Sequence, residues 1–495
     1  MRLSHFCFFV SLLTAGAFAS VSAQAERLNV LFIAVDDLRP ELGAYGSRAI
    51  TPNIDRLAES GLRFDRAYCT QAVCGASRLS LMTSLYPEYT KERTFHTRNW
   101  RVRHPDVVTL NQLFKQNGYT TVGVGKIYNA WDGPEADFAN WNRWIGTQGL
   151  KYVNLDTMEK GKEQAEALGK EFVRGPTTEI GVLEHAEELY FDGWRSGEGV
   201  RQIERLTASD EPFFLAVGFS LPHLPFAAPK KYWDLYNRED FSMPDNLGVP
   251  PGYPDYARNA TPGEMRHYAD VPIGHDPKGF SEAMNLRLIH GYHASVSYTD
   301  RNVGQVLDAL EKSGKAHNTI IVFWSDHGWK LGEHSSWCKH TNFEIDTRVP
   351  LLIVHPQMDS VKGSTTALTE LIDLYPTLAE LCGLEVPTAI HGKSLVSVLK
   401  DPTRAHREYA YSSYQRRADD EIIGHSIRSD RHRYTEWWNT QTDEILGSVA
   451  TDLIENPGET TNALLEDPAI GETFSRDLRE IVMRARTLPS PILGR

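Results

Sequence analysis

The sequence predicts an α/β sandwich on a large, mostly parallel central sheet flanked by helices, with a smaller α+β domain at the carboxyl end. Three observations predict it. Residues 28–35 form a continuous apolar run ending at Asp36-Asp37, the pattern of a strand buried on both faces of a parallel sheet. The pattern recurs at 120–126, 213–219 and 319–327, and most of these runs end beside a polar residue able to do chemistry. Between them lie helical segments at 53–61, 110–118, 200–208 and 285–314; in the last, Val296, Val303, Val306, Leu307 and Leu310 keep helical spacing. Strands alternating with helices give layers of helix on sheet. From Pro387 onward the pattern changes to short strands, at 408–414 and 424–438, then a charged helix at 473–486.

The chain opens with a positive charge at Arg2, an apolar run at 6–19 and the small-x-small pattern Ala23-Gln24-Ala25. This predicts a signal peptide over 1–25, cleaved near Ala23 or Ala25, and a secreted or periplasmic product. No later run is long enough to cross a membrane, and no lipobox surrounds Cys7. About 470 residues then remain, more than one core normally serves. The expected division is 26–386 for a large catalytic domain and 387–495 for a smaller one with short antiparallel strands and a helix. Residues 128–199 and 236–278 lack clean periodicity and read as surface insertions, where recognition loops live.

Four cysteines follow the signal peptide, Cys69, Cys74, Cys338 and Cys382. They lack paired CxxC spacing, so neither a disulfide scaffold nor a zinc site is indicated. Cys69 and Cys382 read as small buried hydrophobes, whereas Cys74, in a Gly-Ala-Ser loop of a secreted chain, calls for a modified or reactive group. A formal net charge of −13 argues against nucleic acid or an anionic membrane as partner. An anionic substrate therefore needs a local cationic pocket.

Carboxylates at the end of a parallel strand lie where open α/β sheets place their sites. An Asp-Asp pair there is more often a turn or a helix cap than a ligand, but Asp326-His327 at a second strand end reverses those odds. Four dispersed motifs carry a resemblance. They are Asp36-Asp37-Leu38-Arg39-Pro40 with Gly43-x-Tyr45-Gly46; Cys74-Gly75-Ala76-Ser77-Arg78; Gly218-Phe219-x-x-Pro222-His223-x-Pro225-Phe226; and Ser325-Asp326-His327-Gly328-Trp329, continuing to Trp337-x-Lys339-x-x-Asn342-Phe343. In this order they resemble the type I formylglycine-dependent sulfatases, in particular the iduronate-2-sulfatase-like branch, over nearly the whole mature chain.

The resemblance implies an alkaline-phosphatase-like sandwich and a sulfuric ester hydrolase acting on a sulfated polysaccharide or oligosaccharide. It favours a sugar sulfate: 2-O on a uronic acid, or a marine-type galactan or rhamnan. It implies a calcium ion held by Asp36, Asp37, Cys74, Asp326 and His327, and a 3-oxoalanine (formylglycine) made from Cys74 by a formylglycine-generating or radical maturase. A sulfate ester repels nucleophiles, so a hard cation on oxygen ligands must offset its charge before attack. In the family, one hydroxyl of the hydrated aldehyde attacks sulfur and the other later expels sulfate. Arg78 would hold the hydrate, Lys126 a sulfate oxygen, and His223 and Lys339 the sulfate and the leaving oxygen. Trp329 is open to two roles, stacking on a sugar or packing in the core.

Two departures matter. The family histidine expected two or three residues after Lys126 is replaced by Tyr128 and Asn129, and Asn129 cannot act as a base; His96 and His104 are possible substitutes without a motif match. Ala76 stands where the commonest maturation signature has proline, which leaves the maturation system open. The alternatives are a phosphonate or phosphodiester hydrolase of the same superfamily and a non-hydrolysing relative that binds sulfated glycans.

Overall fold

The computed structural model describes residues 27–129, 137–259, 263–273, 280–358, 362–386, 389–416 and 421–489. The predicted signal peptide and the predicted 386/387 boundary fall outside them or at their edge. The central sheet has eight strands, in the order Gly363–Thr365, Leu62–Phe64, Leu351–Val354, Thr319–Ser325, Asn29–Val35, Phe213–Phe219, Thr120–Gly125, Arg143–Ile145. Leu351–Val354 pairs antiparallel with both its neighbours and every other pairing is parallel, so the mostly parallel sheet expected from the apolar runs is present.

Asn29–Val35 lies at the middle, in register with Phe213–Phe219 on one side and Thr319–Ser325 on the other. Its side chains alternate between two cores: Val30, Phe32 and Ala34 pack on one face, and Leu31, Ile33 and Val35 on the other. Being buried on both faces is why the strand shows no polar alternation. The second core is closed by Glu282–Lys312 and Phe191–Leu206. Glu282–Lys312 is capped by the Ser281 side chain, which accepts the Met284 amide.

Differences from the sequence reading have local causes. The helix expected at 200–208 starts nine residues earlier, at Phe191, because Gly193, Gly197 and Gly199 hide its periodicity. One of these glycines is a packing requirement, since a β-carbon at Gly193 would lie 1.5 Å from the Glu187 carbonyl, and one at Gly199 would crowd Val306 Cγ2 at 3.1 Å. The segment 128–199 is also not all surface insertion, since Arg143–Ile145 forms the sheet edge. Toward the carboxyl end, the strand segment expected at 424–438 is two strands. Ile422–Arg428 and His432–Asn439 form a hairpin within a four-stranded antiparallel sheet with Ala410–Gln415 and Ile445–Asp452. Leu478, Val482 and Ala485 of the helix Ala469–Ala485 pack on that sheet's Tyr411, Ile427 and Tyr434.

Candidate active site

The carboxyl ends of four adjacent parallel strands deliver the chemistry: Asp36 and Asp37 after the first, Lys126 after Thr120–Gly125, His223 after Phe213–Phe219, Asp326 and His327 after Thr319–Ser325. In a continuing strand Asp36 and Asp37 would point to opposite faces. The chain instead enters the left-handed region at Asp37, φ 60°, which aspartate tolerates better than most residues, and both carboxylates join one cluster. Neighbouring strand ends hold the turn: the Asp37 amide donates to Asp326 Oδ1 at 3.2 Å, the Leu38 amide to Ser325 Oγ at 3.0 Å and the Tyr292 hydroxyl to the Asp37 carbonyl at 2.9 Å.

Cys74 is the first residue of the helix Cys74–Thr83, buried, with Sγ 3.2 Å from His327 Nε2. Burial foremost, with Asp36 beside it, pushes its thiol well above the ordinary range, so the unmodified side chain is a poor nucleophile at neutral pH. Gly75 is required, since a β-carbon there would meet the Phe95 carbonyl at 2.2 Å. Ser77 Oγ donates to the Asp326 carbonyl at 2.6 Å. One turn on, Arg78 is fully buried, with Nε 2.8 Å from Asp326 Oδ2, Nη2 3.3 Å from Asp36 Oδ1 and Nη1 3.1 Å from the Ile127 carbonyl. The guanidinium fork thus bridges two carboxylates and a strand end.

Above this floor sit the other cations. Lys126 pairs with Asp36. Lys339 lies 2.9 and 3.0 Å from the two Asp37 oxygens and 3.0 Å from Glu264 Oε1. Cys338 and His340 on either side of it are both left-handed, φ 72° and 83°, strain of the kind that collects at sites. His223 Nδ1 lies 2.8 Å from the Leu224 carbonyl, and its Nε2 points toward Asp37 at 3.9 Å. Burial, with Lys339 and Lys126 nearby, lowers its pKa to about 3, so the imidazole is neutral in the resting site. The structure corrects the sugar-stacking role for Trp329: its ring is fully buried, with Lys339 Nζ 4.8 Å above its centroid. It supports the lysine and offers no face to a sugar.

Glu264 was missed by sequence reasoning. It lies in the aperiodic segment 236–278, where no pattern marks it, and only the fold brings it to Lys339. The replaced histidine is not restored nearby by the candidates named. Tyr128 turns into the core, donating to Asn111 Oδ1 at 3.0 Å, and Asn129 Nδ2 donates to the Phe95 carbonyl at 2.8 Å. His96 is exposed, and His104 Nε2 lies 3.2 Å from the Thr90 carbonyl.

The donor set fits a hard cation. Ligand atoms of Asp36, Cys74, Asp326 and His327 lie within 4.8 Å of one another, as do those of Asp36, Asp37 and His223. Three of the six residues are aspartates, the hard oxygen donors that calcium or magnesium takes. Burial raises the Asp37 carboxyl well above its usual range, and the charges of Asp36, Glu264 and Asp326 add to this against the pull of Lys339. Asp36 is held low despite burial, chiefly by Lys126, with Arg78 beside it. A cation among these carboxylates relieves the repulsion that Lys339 alone does not cancel.

Comparison with known proteins agrees with this geometry. The sulfatase family model matches residues 28–384, and a model described as the carboxyl-terminal part of N-sulphoglucosamine sulphohydrolase matches 332–486. The chain is 34% identical to iduronate 2-sulfatase of Mus musculus, covering 91% of each chain. It is 32% identical to that of Homo sapiens, covering 88% of this chain and 89% of the relative. Among solved structures, a 2-O GAG sulfatase superposes with TM-score 0.71 at 22% identity, covering 93% of both chains. The phosphonate monoester hydrolase of Agrobacterium radiobacter gives 0.74 at 19% identity, covering 93% of this chain and 96% of that one. These likenesses extend the alkaline-phosphatase-like sandwich over the described chain.

Proposed function

The chain belongs to the sulfatase family, in its iduronate-2-sulfatase-like branch, a family of sulfuric ester hydrolases, and we propose that it cleaves sulfate esters of a carbohydrate. The observation that carries the reading is a single buried cluster. Cys74 heads a helix among three carboxylates and His327, and Lys126, His223 and Lys339 surround it. When present, calcium and the aldehyde made from Cys74 supply charge neutralisation and a hydroxyl nucleophile.

The chain's own residues do the rest. Asp36, Asp37, Asp326 and His327 hold the cation. Arg78 fixes Asp36 and Asp326 and orients the modified side chain. Lys126 binds a sulfate oxygen, and His223 and Lys339 take the sulfate and the leaving oxygen, Lys339 delivering the proton from an ammonium that Glu264 helps hold in place. We further propose export by cleavage near Ala23 or Ala25 and maturation by a formylglycine-generating or radical enzyme. Among the described residues no helix is long and apolar enough to cross a membrane. Residues 26–386 serve as the catalytic domain and 387–495 as the smaller one.

The test is sulfate release from a panel of sulfated oligosaccharides by protein co-expressed with a maturase, with Cys74→Ala as control. Release that vanishes in the control supports the reading. Faster cleavage of aryl phosphodiesters than of aryl sulfates would replace it with phosphodiester hydrolysis. Glycan binding without release, after confirmed maturation, would point to a binding protein disabled at Asn129.

A further inference from the structure

Lys339 is held at its nitrogen by Asp37 and Glu264, but the stretch of backbone that carries it is a strained one. Cys338 and His340, on either side, are both left-handed, and residues other than glycine stay in that region only where their surroundings impose it. Three neighbours do so. From the segment 236–278, Asn259 Nδ2 reaches the Lys339 carbonyl at 3.5 Å, and the Asn259 carbonyl accepts from Ser336 Oγ at 2.7 Å. From the segment that covers the start of the Cys74 helix, the Phe95 ring meets the His340 ring at 88°, with centroids 5.4 Å apart. The third neighbour is the carboxyl-terminal sheet.

Tyr414 and Gly424 lie opposite each other in the register of that sheet, and both meet the loop that follows Lys339. The Tyr414 ring stacks on His340, with centroids 5.7 Å apart and planes 29° from parallel. Both residues are buried, His340 1% exposed and Tyr414 3%, so the imidazole is gripped between Phe95 and Tyr414. Two residues on, Asn342 Nδ2 donates to the Gly424 carbonyl at 3.1 Å. This approach needs a glycine, since a β-carbon at Gly424 would lie 2.3 Å from Asn342 Oδ1. Buried ring pairs pack at defined distances and angles. Moving Tyr414 therefore moves His340, and with it the backbone of Lys339.

We propose that Tyr414 is a positioning residue for Lys339, acting through the His340 ring, so that the carboxyl-terminal sheet takes part in delivering the proton to the leaving oxygen. The inference rests on the hydrolytic reading above and deepens it, because it gives that sheet a part in the chemistry. A proton donor must stay within hydrogen-bond reach of its acceptor, and a remote substitution that misplaces it by about 1 Å costs up to about a hundredfold in rate. Each hydrogen that Lys339 turns to the leaving oxygen is one that Asp37 or Glu264 no longer holds. During transfer, the backbone supports keep the donor in place.

Two measurements test it. Hydrogen exchange of Cys74→Ala protein in calcium buffer needs no turnover. Adding Tyr414→Ala should speed exchange of the 338–342 amides by about tenfold or more and leave 29–35 unchanged; unchanged exchange at 338–342 overturns the proposal. The second measurement compares hydrolysis of 4-methoxyphenyl sulfate and 4-nitrophenyl sulfate by matured protein, since the poorer leaving group depends more on a donated proton. Tyr414→Ala should lower kcat about tenfold on the methoxyphenyl ester and less than about threefold on the nitrophenyl ester, with KM within about twofold for both. Tyr414→Phe keeps the ring and should restore both rates, and Tyr414→Leu stands in where Tyr414→Ala does not fold. Equal losses on both esters overturn the proposal. Lys339→Met is the reference and should show the same dependence, only larger. If it loses both esters equally, the proton-donor reading fails and takes the proposal with it, a result distinct from failure at Tyr414 alone.

Discussion

The floor of the site and its mouth are built differently. On the floor, Asp36, Asp37, Asp326, Arg78 and His327 are fully buried, rooted at strand ends or one turn into a helix, and joined to one another. At the mouth, a quarter of the His223 side chain is exposed, and the supports come from loops. Charges on the floor are largely spent on each other, whereas the mouth keeps a side chain open to a ligand. A floor of this kind belongs to chemistry common to a whole family, and a mouth of this kind to the choice of substrate.

The comparison breaks most severely at Cys74. Cys74→Ala should lower turnover by more than about a thousandfold, as loss of a nucleophile does, with the thermal midpoint within a few degrees of wild type. Retained sulfate release would remove Cys74 from the mechanism. Arg78→Ala should act on the fold instead. It strands Asp36 and Asp326 as buried, under-compensated charges, at a cost of about 3–5 kcal/mol, read as a fall in urea midpoint or loss of soluble protein. A normal midpoint would mean that the floor is not braced as described.

Chelation sharpens the same contrast. Removing calcium should lower the melting temperature as well as activity, because an ion at a hundred times its Kd contributes about 2.7 kcal/mol. Activity lost with no thermal shift would place the ion outside the carboxylate cluster. Asn129→His should change kcat by less than about threefold, since the Asn129 amide is committed to the Phe95 carbonyl. A gain beyond tenfold would show that the missing histidine limits the rate.

A further effect lies far from the site. Glu459 is buried beside Arg433 and Glu344, and burial foremost raises its pKa to about 7. The folded state holds this proton more tightly than the unfolded state, so stability falls as pH rises from about 4.5 to 7 and then levels. Glu459→Gln should therefore stabilise the protein by on the order of 1–3 kcal/mol at pH 8 and change little at pH 4.5. Equal effects at both pH values would contradict this.

The floor was legible in the sequence because buried parallel strands are continuous apolar runs, and the residues that end them are marked by position. Asp36 and Asp326 could be found that way, as could Lys126 above them, and Cys74 and Arg78 by their spacing. The mouth was legible only where a motif marked it, at His223. Glu264 occupies a segment whose conformation is set by tertiary contacts, with no period of its own, and the helix from Phe191 was hidden by glycines, one of which its packing requires. Of the two roles left open for Trp329, its motif could not choose, because it gives the neighbours but not the burial that puts the ring in the core.

The most direct measurement follows the fraction of Cys74 converted to aldehyde, by mass spectrometry of its peptide, against the rate of sulfate release across preparations with graded maturase co-expression. The account predicts a rate proportional to the aldehyde fraction, extrapolating to zero for the thiol. Release from protein whose Cys74 remains a thiol would contradict it.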